Sequence, residues 1–331
     1  MQKFLLCFLF SFVFGLFISP IIIKIAKKLK AKQTILHYVE AHKQKNGTPT
    51  LGGLIFIFSA TIIFLCFQSG ANSLSVVALL TFLAFGLLGF LDDFIKIKTH
   101  KNLGLKPYQK IIGQVGISIF VAVFVYKNIG TSLYLPFGMN EIDLGFFIIP
   151  LVIFAIIATT NSANLTDGLD GLLGGVSFVA LIAVFIILIF TKNYEINLGA
   201  NLEYLQEMNN LSLLTLSLAG GVLAFLCFNS YPAKIFMGDT GSLSLGGAIC
   251  AITTFCGQML TIVFVCITFV VSSLSVIVQV LHYKRTKKRI FLMAPLHHHF
   301  EKKGVNETKI VAIYIIITII ASVLAILLCM L

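Results

Sequence analysis

The chain has 331 residues, 58% of them hydrophobic and only 11% charged, with a formal net charge of +11. Globular chains carry about 25% charged residues, so this composition excludes a soluble domain and points to one helical bundle in lipid. The positive balance does not indicate nucleic acid, because the basic residues lie between apolar spans, where they set orientation and attract anionic headgroups.

In chain order, apolar stretches predict helices at 4–23, 51–67, 74–91, 111–126, 144–160, 172–191, 211–228, 243–257, 259–282 and 310–330. Most approach the ~20 residues that cross a bilayer core, and the Gly-rich 243–257 is the shortest. The run from Phe4 to Ile23 is too long for a secretory signal core and no A-x-A site follows it, so it is expected as the first retained span. The loops between spans fall into two sets. One set, 24–49, 92–110, 161–171, 229–242 and 283–309, holds 21 of the 24 Lys and Arg and five of the six Asp. The positive-inside rule makes that set cytoplasmic. Ten spans then place both termini outside, and the expected fold is an all-α polytopic integral membrane protein, residues 1–331 forming a single ten-helix domain with a cytoplasmic cleft. The seven cysteines lie in or beside apolar stretches without CxxC spacing, as small core fillers rather than disulfides or ligands.

Five cytoplasmic stretches carry chemistry-capable residues. His42 to Gly53 is a basic turn leading into a glycine-softened helix start, either a helix entry or an edge for an anionic substrate. At Gly89-Phe90-Leu91-Asp92-Asp93 an apolar helix is expected to end in two carboxylates about 100° apart on its surface. A solvated end or an ion pair with Lys96 is the plainer reading. Acids at a helix C-terminus oppose its dipole, however, which favours function. Between Asn161 and Gly171, Asp167 and Asp170 are spaced i, i+3 before the next helix, as caps or as a glycine-flanked ligand site. Asn229 to Ser242 places Gly238, Asp239 and Thr240 where a helix opens, so free backbone N–H groups could bind an anion and Asp239 a Mg²⁺. In Ala294 to Glu301, three consecutive histidines cannot face one zinc from regular structure and no cysteine lies near, so phosphate contact or loop structure is expected. Acids for a divalent metal and lysines for phosphates together suit a polyanionic substrate.

The stretches GTPTLGG, GFLDD, NLTDGLDGL, YPAKIFMGDTGS and APLHHHFE, in this order from His42 to Glu301, closely resemble the membrane polyprenyl-phosphate hexose-1-phosphate transferase family. The last of them resembles its peptidoglycan branch, the phospho-N-acetylmuramoyl-pentapeptide transferases. The resemblance implies ten transmembrane helices in the bacterial inner membrane, Mg²⁺ dependence and a cytoplasmic active site. It implies transfer of phospho-MurNAc-pentapeptide from UDP-MurNAc-pentapeptide to undecaprenyl phosphate, giving lipid I and UMP. Carried over by position, Asp239 would hold Mg²⁺, and Asp92 and Asp93 would be further catalytic carboxylates. Asn229, His297 and His298 would lie near the diphosphate, with His298 counted as catalytic. Asn164, Leu165, Asp167, Gly168, Asp170 and Phe236 would line the uridine pocket, while Lys45 and Thr50 close the nucleotide side. Lys96 and Lys110 are weaker assignments because the basic pattern of that loop varies, and Leu51 stands where many relatives carry Met. The alternative branch uses UDP-N-acetylglucosamine.

A phosphomonoester is mostly dianionic at neutral pH, so direct attack by the lipid phosphate is expected, with a phospho-aspartate intermediate as the other route. An intramembrane aspartyl protease would bring its acids together inside the bundle, and a transporter would place ionisable groups near mid-membrane. Membrane lipid surrounds the chain, a homodimer is the protein assembly considered, and no nucleic acid is expected.

Overall fold

The structure, a computed structural model, describes residues 1–29, 47–99, 104–135 and 141–330. The described residues form an all-α membrane protein. Its helices are α1 (Gln2–Lys28), α2 (Gly53–Phe67), α3 (Ser73–Thr99), α4 (Pro107–Asn128), α5 (Ile148–Thr166), α6 (Leu172–Asn197), α7 (Leu202–Asn229), α8 (Gly238–Phe255), α9 (Ile262–Val265), α10 (Ile267–Thr286), α11 (Leu296–Lys302) and α12 (Glu307–Met330). Eight of them (α1, α3, α4, α5, α6, α7, α10 and α12) are long and apolar enough to cross a membrane. Each of the ten predicted spans contains a helix; α2, with 15 residues, and α8, rich in Gly, Ser and Thr, fall outside the eight.

α7 and α8 are the most deeply buried helices of the bundle. α8 is buried from Thr240 to Phe255 and packs on α3 and α5, while α7 packs on α1, α2 and α6. Small residues allow that closeness, since lipid offers no hydrophobic drive between helices and association depends on contact. Many hydroxyls inside the bundle are satisfied by their own helix: Thr81 and Thr160 donate to the carbonyls of Val77 and Ile156 at 2.8 Å. Apolar side chains face outward as well as inward: Phe17, Ile112 and Ile320 are exposed, Phe56, Phe82 and Phe85 are buried, and Ser11, Ser19 and Ser59 are kept to the interior. That distribution is what a lipid solvent demands.

Several boundaries differ from expectation for identifiable reasons. α3 does not stop at residue 91 but continues to Thr99, with Lys96 pairing one turn back to Asp92. Asp92 and Asp93 therefore lie within a helix, not at its end. The span expected at 259–282 is interrupted: a 3₁₀ turn at Met259–Thr261 and the four residues of α9 precede α10. α7 starts nine residues early, where the Asn201 side chain accepts the Tyr204 N–H as a cap. The 127–143 connection contains an unforeseen hairpin, β1 (Ser132–Tyr134) antiparallel to β2 (Glu141–Asp143). No cysteine is in a disulfide; five are buried, but Cys66 and Cys227 are exposed and so fill no core.

Candidate active site

The site is set by one helix crossing. At Gly89 the absence of a side chain lets the first turn of α8 press onto α3, because a Cβ there would collide with the Asp239 carbonyl. One turn later Asp93 meets the amino end of α8. Its Oδ1 accepts the Asp239 N–H at 3.2 Å, and its Oδ2 accepts the Thr240 N–H at 2.9 Å and the Thr240 hydroxyl at 2.7 Å. Asp93 thus caps α8 from a neighbouring helix, satisfying amides that have no partner in their own helix. The free N–H groups expected to bind a substrate anion are taken by this internal carboxylate. Gly238, at φ +75°, leads into that turn, and any side chain there would meet the Asp93 carboxylate and the Thr50 hydroxyl.

Asp92, Asp93 and Asp239 offer oxygens that all lie within 4.8 Å of one another. Among the described residues this is the one such group of His, Cys, Asp or Glu. Three carboxylates that close repel strongly unless cations sit among them. Lys96 Nζ contacts Asp92 and reaches Asp239 at 3.2 Å and Asp93 at 3.7 Å. Lys110, in the first turn of α4, places its Nζ 2.7 Å from Asp239 Oδ2. The remaining lone pairs are also directed: the Leu105 N–H donates to Asp92 Oδ1 at 2.8 Å, and Asn164 Nδ2 donates to Asp239 Oδ1 at 2.9 Å and to Ser242 Oγ at 2.8 Å. The donor set fits a small divalent cation, being all oxygen without sulfur or imidazole. The Lys96 ammonium already stands among the three acids as a positive charge would.

The turn from Asp167 to Gly171 flanks this cluster. Neither of its acids caps α6, contrary to the capping reading; Asp167 ends α5 and Gly171 precedes α6. Asp170 Oδ2 accepts the Ala233 N–H at 3.0 Å. Asn229 accepts the Gly171 N–H at 3.0 Å through Oδ1 and donates to the Ile235 carbonyl at 2.9 Å through Nδ2. Both side chains thereby staple the turn to the segment before α8. Burial, together with the negative charges of Asp239, Asp93 and Asp170, pushes the Asp167 carboxyl up to about 8.

The three histidines of α11 have three different surroundings. His297 is fully buried, with both ring nitrogens unpartnered among the described residues and its Nε2 close against Gly168. Burial and the neighbouring His298 hold it down to about 3. His298 Nδ1 lies 2.8 Å from Glu301, and the His299 Nδ1 accepts the Leu292 N–H at 3.0 Å. Phe236 is held by its backbone, donating to the Pro49 carbonyl and accepting from the Gly52 N–H, both at 2.8 Å.

The predicted residues therefore gather in two adjoining places. Asp92, Asp93 and Asp239 form the carboxylate cluster with Asn164 and Thr50 against it, while Gly168, His297 and His298 meet nearby, next to Asp167. Asp170 and Asn229 act in the staple, Leu165 is half-buried at the end of α5, and Lys45 lies outside the described residues. Lys96 and Lys110, weak assignments from sequence, are at the centre. Sequence reasoning placed Thr240 at the helix opening but not as a partner of Asp93, and gave Ser242 no partner, although the hydroxyls of Asp-Thr-Gly-Ser were the signal for both.

A family model described as glycosyl transferase family 4 matches residues 75–257, which include all three carboxylates. The phospho-N-acetylmuramoyl-pentapeptide-transferase of Clostridium botulinum (strain Alaska E43 / Type E3) is 42% identical over 317 residues, covering 96% of this chain and 93% of that protein. The same-named protein of Clostridium perfringens (strain 13 / Type A) is 42% identical over 319 residues, covering 96% of each chain. That of Thermoanaerobacter sp. (strain X514) is 41% identical over 326 residues, covering 98% of each.

Proposed function

Because the chain belongs to glycosyl transferase family 4, and within it to the phospho-N-acetylmuramoyl-pentapeptide-transferases, we propose that it moves phospho-MurNAc-pentapeptide from its UDP carrier to undecaprenyl phosphate, with Mg²⁺, yielding lipid I and UMP. The observation that carries this reading is the convergence of Asp92, Asp93 and Asp239 with Lys96 and Lys110. The names of these relatives favour the muramoyl-pentapeptide donor over UDP-N-acetylglucosamine. The reading includes a ten-span topology in the bacterial inner membrane, both termini outside, with this cluster on the cytoplasmic face.

Asp239 would hold Mg²⁺ with Asp92 beside it, and the bound ion would supply Lewis-acid neutralisation of the diphosphate and of the departing UMP. The remaining work falls to the chain. Asn164 fixes the orientation of Asp239. Lys96 and Lys110 neutralise phosphate oxygens, so that two anionic groups can approach in line. The acceptor phosphate is already mostly dianionic; Asp92 orients it and takes any residual proton. Asp93, with both oxygens accepting hydrogen bonds, is the positioning group for Asp239 and a poor nucleophile. This favours direct attack. Thr50, Asn164, Leu165, Asp167, Gly168, Asp170 and Phe236, with Lys45, are the residues we assign to the nucleotide, and Asn229, His297 and His298 to the diphosphate.

Purified protein with polyprenyl phosphate and each UDP-sugar in turn tests the reading by UMP release. Release with UDP-MurNAc-pentapeptide that stops on chelation and returns with Mg²⁺ is expected. Release with UDP-N-acetylglucosamine alone would overturn the donor assignment.

A further inference from the structure

A cavity of about 660 Å³, apart from the carboxylate cluster, opens where the basic end of α1 meets the turn at 47–49 and the segment at 233–234. None of the three carboxylates or their two lysine partners lines it. Pro20, Ile23 and Phe228 give it an apolar floor, and Lys24, Lys27 and Lys234 give it three cations. Lys24 and Lys27, three residues apart, share a helix face, while Lys234 arrives from a remote part of the chain. All three are exposed, and none forms an ion pair among the described residues.

The length of α1 sets the depth of this cavity. The apolar run Phe4–Ile23 rises about 30 Å at ~1.5 Å per residue, which matches the hydrocarbon thickness of a bilayer. Lys24 therefore stands at the edge of the core and Lys27 almost a turn farther out, at headgroup level. Below them the outward flank of α1 is apolar, with Phe17 and Ile21 exposed. Phosphate-level cations above an apolar wall fit an amphiphile, with the anionic head in the cavity and the tail along the helix.

We propose that this cavity is a binding site for the headgroup of an anionic membrane phospholipid, its phosphate held between Lys24, Lys27 and Lys234. A soluble anion leaves the apolar floor unexplained. A polyprenyl phosphate shares the head chemistry, but as acceptor it must reach the carboxylates, which none of these residues does. The site also has a mechanical consequence. Its walls flank the pairing of Pro49 with Phe236, 2.8 Å from carbonyl to N–H, that leads directly into Gly238 and Asp239. A headgroup bridging the two walls clips that pairing and steadies the turn bearing Asp239.

The test uses the full chain, delipidated in detergent and titrated in native mass spectrometry with phosphatidylglycerol, phosphatidylcholine, polyprenyl phosphate or inorganic phosphate. Phosphatidylglycerol is expected to bind at least ~5-fold tighter than phosphatidylcholine. Lys24→Gln/Lys27→Gln and Lys234→Gln should each weaken it by about 5-fold per lysine, the worth of one cation near an anionic surface. The control Lys284→Gln/Lys288→Gln should leave the tightest site unchanged. The Lys24 and Lys27 changes lie on an exposed helix surface, so an unaltered unfolding temperature separates lost binding from lost folding. Equal affinity for the two phospholipids, an equal effect of the control, or competition by polyprenyl phosphate or inorganic phosphate at matched concentration would each overturn the site. The readout needs no turnover, so it succeeds or fails independently of the proposed reaction.

Discussion

Asp92 and Asp93 are adjacent and equally buried, yet their partners divide their roles. Asp93 accepts three hydrogen bonds from α8, while Asp92 accepts one backbone N–H and contacts Lys96. Asp93→Asn is therefore expected to lower both turnover and folding stability, the latter by about 1.5–3 kcal/mol for hydrogen bonds to a charged group. Asp92→Asn should lower turnover with the smaller change in stability; thermal unfolding in detergent beside kcat distinguishes the two. Asp239→Asn is expected to lose at least ~10²-fold in turnover while still inserting in the membrane, since the charge stabilisation of a bound metal is worth several kcal/mol. Near-normal turnover would remove Asp239 from the metal site. His297 makes a pH prediction. Its imidazole titrates near 6.5 in the unfolded chain and near 3 in the fold. Between those values the unfolded chain binds the extra proton, so this residue costs stability as pH falls from about 6.5 toward 3 and costs none above 6.5. His297→Leu should flatten the fall in unfolding temperature between pH 7 and pH 5 relative to the parent chain. The acids themselves were legible in the sequence, because carboxylates beside turn glycines at the ends of apolar runs are rare. The Lys96 ion pair on the same helix was legible too, but the reach of Lys96 and Lys110 to Asp239 and of Thr240 to Asp93 was not, because distance along the chain says nothing about which group meets another helix.

At the scale of elements, the crossing of α3 and α8 does most to place the site. Its closest approach is at Gly89, where any Cβ meets the Asp239 carbonyl. Gly89→Ala should separate the helices, destabilise the protein by about 1–3 kcal/mol as overpacking does, and reduce turnover at least ~10-fold. Gly116, on α4, has nothing within 4 Å of the position that an added methyl group would take, so Gly116→Ala should leave activity intact and unfolding unchanged or slightly raised. Equal behaviour of the two alanine variants would contradict the crossing. Hydropathy placed a helix in each predicted span but misjudged ends and breaks. The last turns of α3 are polar on the surface and held by Asp92–Lys96, and the break before α10 carries no proline and no charge to betray it.

For the whole molecule, the charge asymmetry of the loops leads to one test of topology. In a background with Cys66 and Cys227 changed to Ser, Glu141→Cys should react with an impermeant maleimide in intact cells, and Lys288→Cys only after permeabilisation. Labelling of both from the same side would refute the proposed arrangement. Composition, hydropathy and motif order determined by themselves that this is an all-α membrane protein, which family it resembles, and which acids are the candidates for its site. They could do so because lipid permits few backbone solutions and excludes stray charge. Only the tertiary structure decided that Asp93 caps α8, that Lys96 and Lys110 serve Asp239, and that Asn229 and Asp170 staple two turns together. Those are contacts between residues 58 to 147 positions apart, made by helix packing that no local pattern encodes.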